Sequence, residues 1–115
     1  MNAITDEDLR DARERLLKRA TELRDRLRRV REDLSRVREP LPRDFSDAAI
    51  AVENDEVLEA IEQSAVRELG HIDRALLRIG SGTFTRCESC GTEIDRQRLF
   101  AVPYTSLCLS CAKDA

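Results

Sequence analysis

The chain has 115 residues, of which 37% are charged and 3% aromatic, and its net charge is −3. That length allows one small domain or one module with an extended arm, and a chain with no Trp, one Tyr and three Phe excludes a large aromatic core. The negative total disfavours a general nucleic-acid binder, and no stretch approaches the length of a membrane span.

The N-terminus reads Ile4-Thr5-Asp6-Glu7-Asp8. It has neither the apolar core nor the cleavage site of a signal peptide, so a cytoplasmic location is expected. In a reducing compartment, paired cysteines point to a metal before a disulfide.

Residues 9–38 are predicted as one long helix. Leu16, Ala20, Leu23, Leu27, Val30, Leu34 and Val37 follow one another in steps of four and three, the spacing of a coiled-coil seam. Thr5 and Asp8 have the spacing of a capping box that starts the helix somewhat earlier. Glu39-Pro40-Leu41-Pro42 ends it, because proline lacks an N–H and disfavours helix in the residue before it.

A second helix is predicted at roughly 47–79, with a seam of Ile50, Asn54, Leu58, Ile61, Ala65, Leu69, Ile72, Leu76 and Ile79. Asn54 is polar at a seam position and could fix register. Gly70 should cost about 1 kcal/mol relative to Ala in mid-helix, and Gly80 and Gly82 mark the end. Two such helices joined by a short turn fold back as an antiparallel pair. At a rise of about 1.5 Å per residue they predict a rod roughly 45–50 Å long. Their charges are opposite. Arg10 to Arg38 holds twelve bases and six acids, a balance of +6, whereas Asp47 to Leu69 holds seven acids and one base, a balance of −6. Each surface pair adds only a few tenths of a kcal/mol, so charge selects the partner while the apolar seam holds it.

Periodicity ends near residue 83, where the cysteines begin. The expected fold is mainly α: a long antiparallel two-helix coiled-coil hairpin over 1–82, its tip at about 39–47, followed by a small four-cysteine zinc ribbon over 83–115. Cys87 and Cys90 are separated by two residues, as are Cys108 and Cys111, and 17 residues lie between the pairs. This spacing reads as a four-cysteine zinc site. Two residues between cysteines allow a tight knuckle that aims both sulfurs at one ion, and Gly91 supplies the permissive backbone. Four thiolates close a tetrahedral shell with no open position, so the Zn2+ ion would be structural and not catalytic. His71 is the lone histidine, and it is expected as a helix-surface or flanking residue because no fifth ligand is needed.

The turn carries Asp44-Phe45-Ser46-Asp47-Ala48-Ala49. Ser46 or Asp47 can cap the second helix, where acids are favoured. Alternatively the two carboxylates and Phe45 form a functional acidic tip, since an exposed tip has little packing reason to carry Phe.

Taken together, the coiled coil, the Asp44-x-x-Asp47-x-Ala49 tip and the ribbon resemble the DksA/TraR family of bacterial transcription regulators. The ribbon residues that carry the resemblance are Cys87-Glu88-Ser89-Cys90-Gly91, Ile94, Arg98-Leu99, Ala101, Pro103 and Leu107-Cys108-Leu109-Ser110-Cys111. The resemblance implies a protein that binds RNA polymerase and not DNA. It implies a coiled coil inserted into the polymerase secondary channel, with Asp44 and Asp47 as effector carboxylates near the active site and Ala49 permitting close approach. Longer members continue past the last cysteine with a helix that braces the polymerase. This chain reads Ala112-Lys113-Asp114-Ala115 there, a departure that leaves docking through such a helix open. Members that respond to guanosine tetraphosphate carry basic residues near the ribbon. Val102 and Ala112 stand at two candidate positions and His71 at a third, so alarmone dependence is expected to be weak or absent.

Two other readings stay open. A nucleic-acid-binding ribbon would use Arg96, Arg98 and Tyr104, but Glu88, Glu93 and Asp95 deny it a basic face. A coiled-coil adaptor could pair its seam in trans as a homodimer, although the turn at Pro40 and Pro42 favours a hairpin and a monomer. An enzyme is not expected, because the chain has no nucleophile–base pair, no phosphate-cradling loop and no open metal position.

Overall fold

Helix α1 begins where the sequence supplies its own cap. Thr5 Oγ1 accepts from the Asp8 backbone N–H at 3.1 Å, and Asp8 Oδ2 accepts from the Thr5 N–H at 3.0 Å. These reciprocal bonds satisfy two donors near the helix start. In the computed structural model α1 runs Asp6–Val37 and α2 Phe45–Ser81, followed by two short helices, α3 (Arg96–Ala101) and α4 (Leu109–Asp114). The structure describes residues 4–37 and 45–114, with side chains over 4–35 and 54–114.

The two long helices form an antiparallel hairpin, so the mainly helical fold read from the heptads holds. Among the described residues there is no strand, only an isolated antiparallel bridge between Arg86 and Glu93. No helix among them is long and apolar enough to cross a membrane.

The end of α2 is built by its glycine. Gly82 has φ +78°, a left-handed conformation that costs an L side chain strain. It lets the Thr83 N–H reach the Arg78 carbonyl at 2.9 Å and its own N–H approach the Ile79 carbonyl at 3.4 Å. Two orphan carbonyls are thereby satisfied, in the pairing pattern of a Schellman cap.

Two units can be distinguished, Thr21–Leu69 and Met1–Ala20 with Gly70–Ala115. In the first, Leu23, Leu27, Val30 and Leu34 of α1 are buried, with Ala65 of α2. Arg31 Nε donates to Glu62 Oε2 at 3.1 Å across the pair, which is the opposite-charge attraction expected of these helices. In the second, Ala12, Leu16 and Ala20 of α1 are buried, as are Ile72 and Ala75 of α2 and Phe84, Cys87, Ile94 and Leu99 of the following segment.

The α1 seam from Leu16 to Leu34 is therefore as its spacing predicts, and the α2 seam departs from its spacing only at Asn54 and Ile61 among the residues whose side chains are described, with Val37 and Ile50 lying outside that set. Asn54 is exposed instead of lying in the seam, and Ile61 is 38% exposed. Leu58, Ala65, Leu69, Ile72, Leu76 and Ile79 are buried or half-buried as predicted, and half-buried Glu62 and buried Ala75 join them. Next to Ile61, the Glu62 carboxylate meets Arg31 Nε at 3.1 Å.

Helices α3 and α4 were not signalled by periodicity. Each has six residues, less than two turns, and neither would hold by propensity alone. The α3 N-cap, Asp95, makes no side-chain capping bond. Tertiary contacts hold the helix, with Leu99 buried beneath it.

Candidate metal centre

The first cysteine pair sits on a folded-back turn. The Ile94 N–H donates to the Thr85 carbonyl at 2.7 Å and the Cys87 N–H to the Thr92 carbonyl at 2.9 Å. The chain reverses at Gly91, whose φ is +75° and whose N–H donates to the Cys87 carbonyl at 2.9 Å. This is the permissive glycine that the knuckle was expected to need. Buried Phe84 and Ile94 belong to the same segment. The second pair straddles the start of α4, where the Ala112 N–H donates to the Cys108 carbonyl at 2.9 Å. The Glu88 N–H donates to the Ser106 carbonyl at 2.9 Å, tying one knuckle to the approach of the other.

The four sulfurs of Cys87, Cys90, Cys108 and Cys111 all lie within 4.8 Å of one another, and Cys90 Sγ is 3.7 Å from Cys108 Sγ. A tetrahedral zinc with Zn–S bonds of about 2.3 Å requires sulfurs roughly 3.8 Å apart. The cluster fits the ion. The backbone amide of Cys108, and after it that of Cys90, hold the Cys87 thiol down to about 6. The Thr92 hydroxyl and amide lower the Cys90 thiol as well. Cys111 is pushed up to about 12, chiefly by the neighbouring Cys108 sulfur. A divalent cation among these sulfurs would favour their thiolate form by neutralising the charge. Cys87, Cys90, Cys108 and Cys111 would hold the zinc as a closed thiolate shell, which supplies folding energy and leaves no place for substrate.

Two arginines hold the approach to the second knuckle. Arg78, buried near the end of α2, donates through Nη2 to the Thr105 carbonyl at 2.8 Å, and its Nη1 lies 3.7 Å from Glu88 Oε1. Arg98 Nε donates to the Leu107 carbonyl at 2.9 Å and its Nη2 to Thr105 Oγ1 at 3.2 Å. Burial pulls the Arg78 guanidinium below its ordinary range, with Glu88 opposing. Arg96 Nη2 donates to Asp8 Oδ1 at 3.1 Å, and its guanidinium lies 5.2 Å from the centre of the Phe100 ring. His71 is exposed, as expected. It stacks on Tyr104 with ring centres 5.7 Å apart, and its Nδ1 accepts from Arg74 Nη2 at 2.9 Å. Arginine has no acceptor, so the imidazole proton belongs on Nε2.

Of the expected site residues, the four cysteines are brought together. Asp44 lies outside the described residues. Asp47 and Ala49 fall on the backbone of the first turns of α2, and their side chains are outside the described set. Because α2 begins at Phe45, Ser46 and Asp47 sit inside its first turn, not at its N-cap. Arg78 and Thr92 had no sequence signal as site residues. Arg78 is one of many helical arginines.

A helical hairpin that carries a closed four-thiolate cluster defines a coiled-coil zinc-finger protein. Residues 82–115 match the prokaryotic dksA/traR C4-type zinc finger, and residues 13–79 match the DnaK suppressor protein-like N-terminal domain. The chain belongs to the DksA/TraR family, and its finger carries one structural zinc. An uncharacterized protein of Aquifex aeolicus (strain VF5) is 38% identical over 73 residues, which is 64% of this chain and 50% of that protein. The chain thus spans about half the length of this curated relative. Among solved structures, transcription factor DksA2 from Pseudomonas aeruginosa matches with a TM-score of 0.84 at 24% identity, over 96% of this chain and 84% of that one, which is a likeness of fold. The solution structure of a DnaK suppressor protein from Agrobacterium tumefaciens C58 is 42% identical over 85% of this chain and 91% of that one, with a TM-score of 0.45.

Proposed function

We propose that this chain is a cytoplasmic transcription regulator that binds bacterial RNA polymerase as a monomer. The coiled coil of residues 1–82 enters the secondary channel, and the finger of residues 83–115 serves as its base. Asp44 and Asp47 act near the polymerase active site, with Ala49 allowing close approach, and initiation is altered without contact to DNA. The observation that carries this reading is the presence of both family segments, hairpin and finger, on one chain that also has the Asp44-x-x-Asp47-x-Ala49 tip.

Two of the finger's three arginines support a protein partner over a nucleic acid. Arg96 is paired with Asp8, and Arg98 with Leu107 and Thr105, so neither is presented as a free phosphate ligand. Alarmone dependence is weak or absent. Val102 and Ala112 offer no charge, and His71 is engaged by Tyr104 and Arg74.

Transcription in vitro with purified polymerase tests the reading. Wild type should alter initiation from sensitive promoters, and Asp44→Asn/Asp47→Asn should lose that effect while still binding polymerase. Equal activity of the two proteins would reduce the tip carboxylates to local structure. Absence of polymerase binding by wild type would reject the function.

A further inference from the structure

The four zinc ligands are unequally protected. Cys87 is buried at 3% exposure and Cys108 and Cys111 are half-buried, whereas Cys90 is exposed. Among the ligands, a competing donor from solvent therefore meets Cys90 first. Cys90 Sγ also has a neighbour of its own, Thr92 Oγ1, at 2.9 Å. A zinc-bound cysteine is a thiolate without a proton, so in the loaded finger the hydroxyl must donate and the sulfur accept.

Thr92 is anchored at its other end as well. Its carbonyl accepts from the Cys87 N–H at 2.9 Å, and the Gly91 turn lies between the two bonds. One residue thus clamps the first knuckle at both of its cysteines, through its backbone at Cys87 and through its side chain at Cys90.

We propose that zinc exchange begins at the Cys90 corner and that Thr92 is the positioning residue that sets its rate. In the exchange step an incoming thiolate or aminocarboxylate bonds to zinc as the Cys90 sulfur–zinc bond breaks. The electron pair stays on sulfur, and the freed thiolate takes a proton from water, so neither oxidant nor reductant is involved. Donation from Thr92 keeps the Cys90 side chain in the rotamer that completes the shell and stabilises its negative charge. Partners of this kind, one bond beyond the ligands, commonly change metal affinity by roughly 10–100-fold.

The test uses the full-length zinc-loaded protein with an excess of a pyridylazo chelator. Thr92→Val should release zinc roughly 10–100-fold faster than wild type, and Thr92→Ser should restore a rate near wild type. With Co2+ in place of zinc, the thiolate-to-metal charge-transfer band should move in Thr92→Val and return in Thr92→Ser, a change that a purely structural role would not produce. Limited alkylation of the wild-type holoprotein with iodoacetamide, mapped by mass spectrometry, should modify Cys90 first, and this measurement does not depend on any variant folding. Zinc release from Thr92→Val at the wild-type rate would overturn the role of Thr92. First modification at Cys87, Cys108 or Cys111 would overturn the Cys90 corner.

Discussion

Asp8 joins two parts of the sequence that are 88 residues apart: one oxygen closes the α1 cap with Thr5, and the other accepts from Arg96. The Thr5 backbone N–H, followed by Arg96, holds its carboxyl below the usual range against the opposing effect of burial. A depressed folded pKa stabilises the fold above the unfolded value. That contribution starts to fall near pH of about 4, as the unfolded carboxyl protonates, and is gone below the lowered folded value. Urea midpoints measured against pH should therefore decline more steeply in acid for wild type than for Asp8→Asn, and parallel curves would show that the carboxylate is not coupled to folding. Arg78 is a second such residue. In Arg78→Met the buried Thr105 carbonyl loses its donor, at a cost of roughly 1–3 kcal/mol in urea unfolding of the zinc-loaded protein. A variant as stable as wild type would mean that Thr105 finds another donor. The Thr5–Asp8 box was legible in the sequence because both partners lie within one helical turn. Arg96 and Arg78 were not, because nothing local marks which arginine a distant segment will cover.

Of the two long elements, α1 is written plainly in its heptads. Each predicted seam residue from Leu16 to Leu34 is buried. In α2 the predicted seam holds at Leu58, Ala65, Leu69, Ile72, Leu76 and Ile79, while Asn54 and Ile61 are exposed. Spacing alone leaves a helix free to turn by part of a residue step, and the facing helix removes that freedom. Gly70 is a point where α2 can be improved. A Cβ there would meet only Arg74 Nη1, at 3.8 Å, an ordinary contact. Gly70→Ala should raise stability by about 0.8–1 kcal/mol, seen as a higher urea midpoint. A lower midpoint would mean that α2 needs a helix-weakening residue there. Helices α3 and α4 lie at the other extreme, six residues each, held by the finger's contacts and not by any pattern of their own.

At the scale of the whole molecule, removal of zinc should act on the finger and leave the Thr21–Leu69 unit intact. The Thr21–Leu69 unit has its own buried set in Leu23, Leu27, Val30, Leu34 and Ala65, none of which belongs to the finger. Hydrogen exchange after chelation should therefore show residues 83–112 losing protection while residues 21–35 and 54–69 keep it. Loss of protection across 21–35 would mean that the hairpin depends on the finger. The sequence by itself determined the helical hairpin, its first cap, the glycine at each tight turn and the four zinc ligands, because each is encoded by residues a few positions apart whose geometry is fixed by backbone chemistry. Only the tertiary structure decided that Asn54 and Ile61 of the α2 seam are exposed, that buried Arg78 meets Thr105 and Glu88, and that the Thr92 hydroxyl lies against Cys90 Sγ. Those outcomes depend on which distant groups arrive to desolvate a side chain, and spacing along one segment carries no record of that. The cysteines, legible from the start, acquired an order among themselves only when the fold buried Cys87 and left Cys90 exposed.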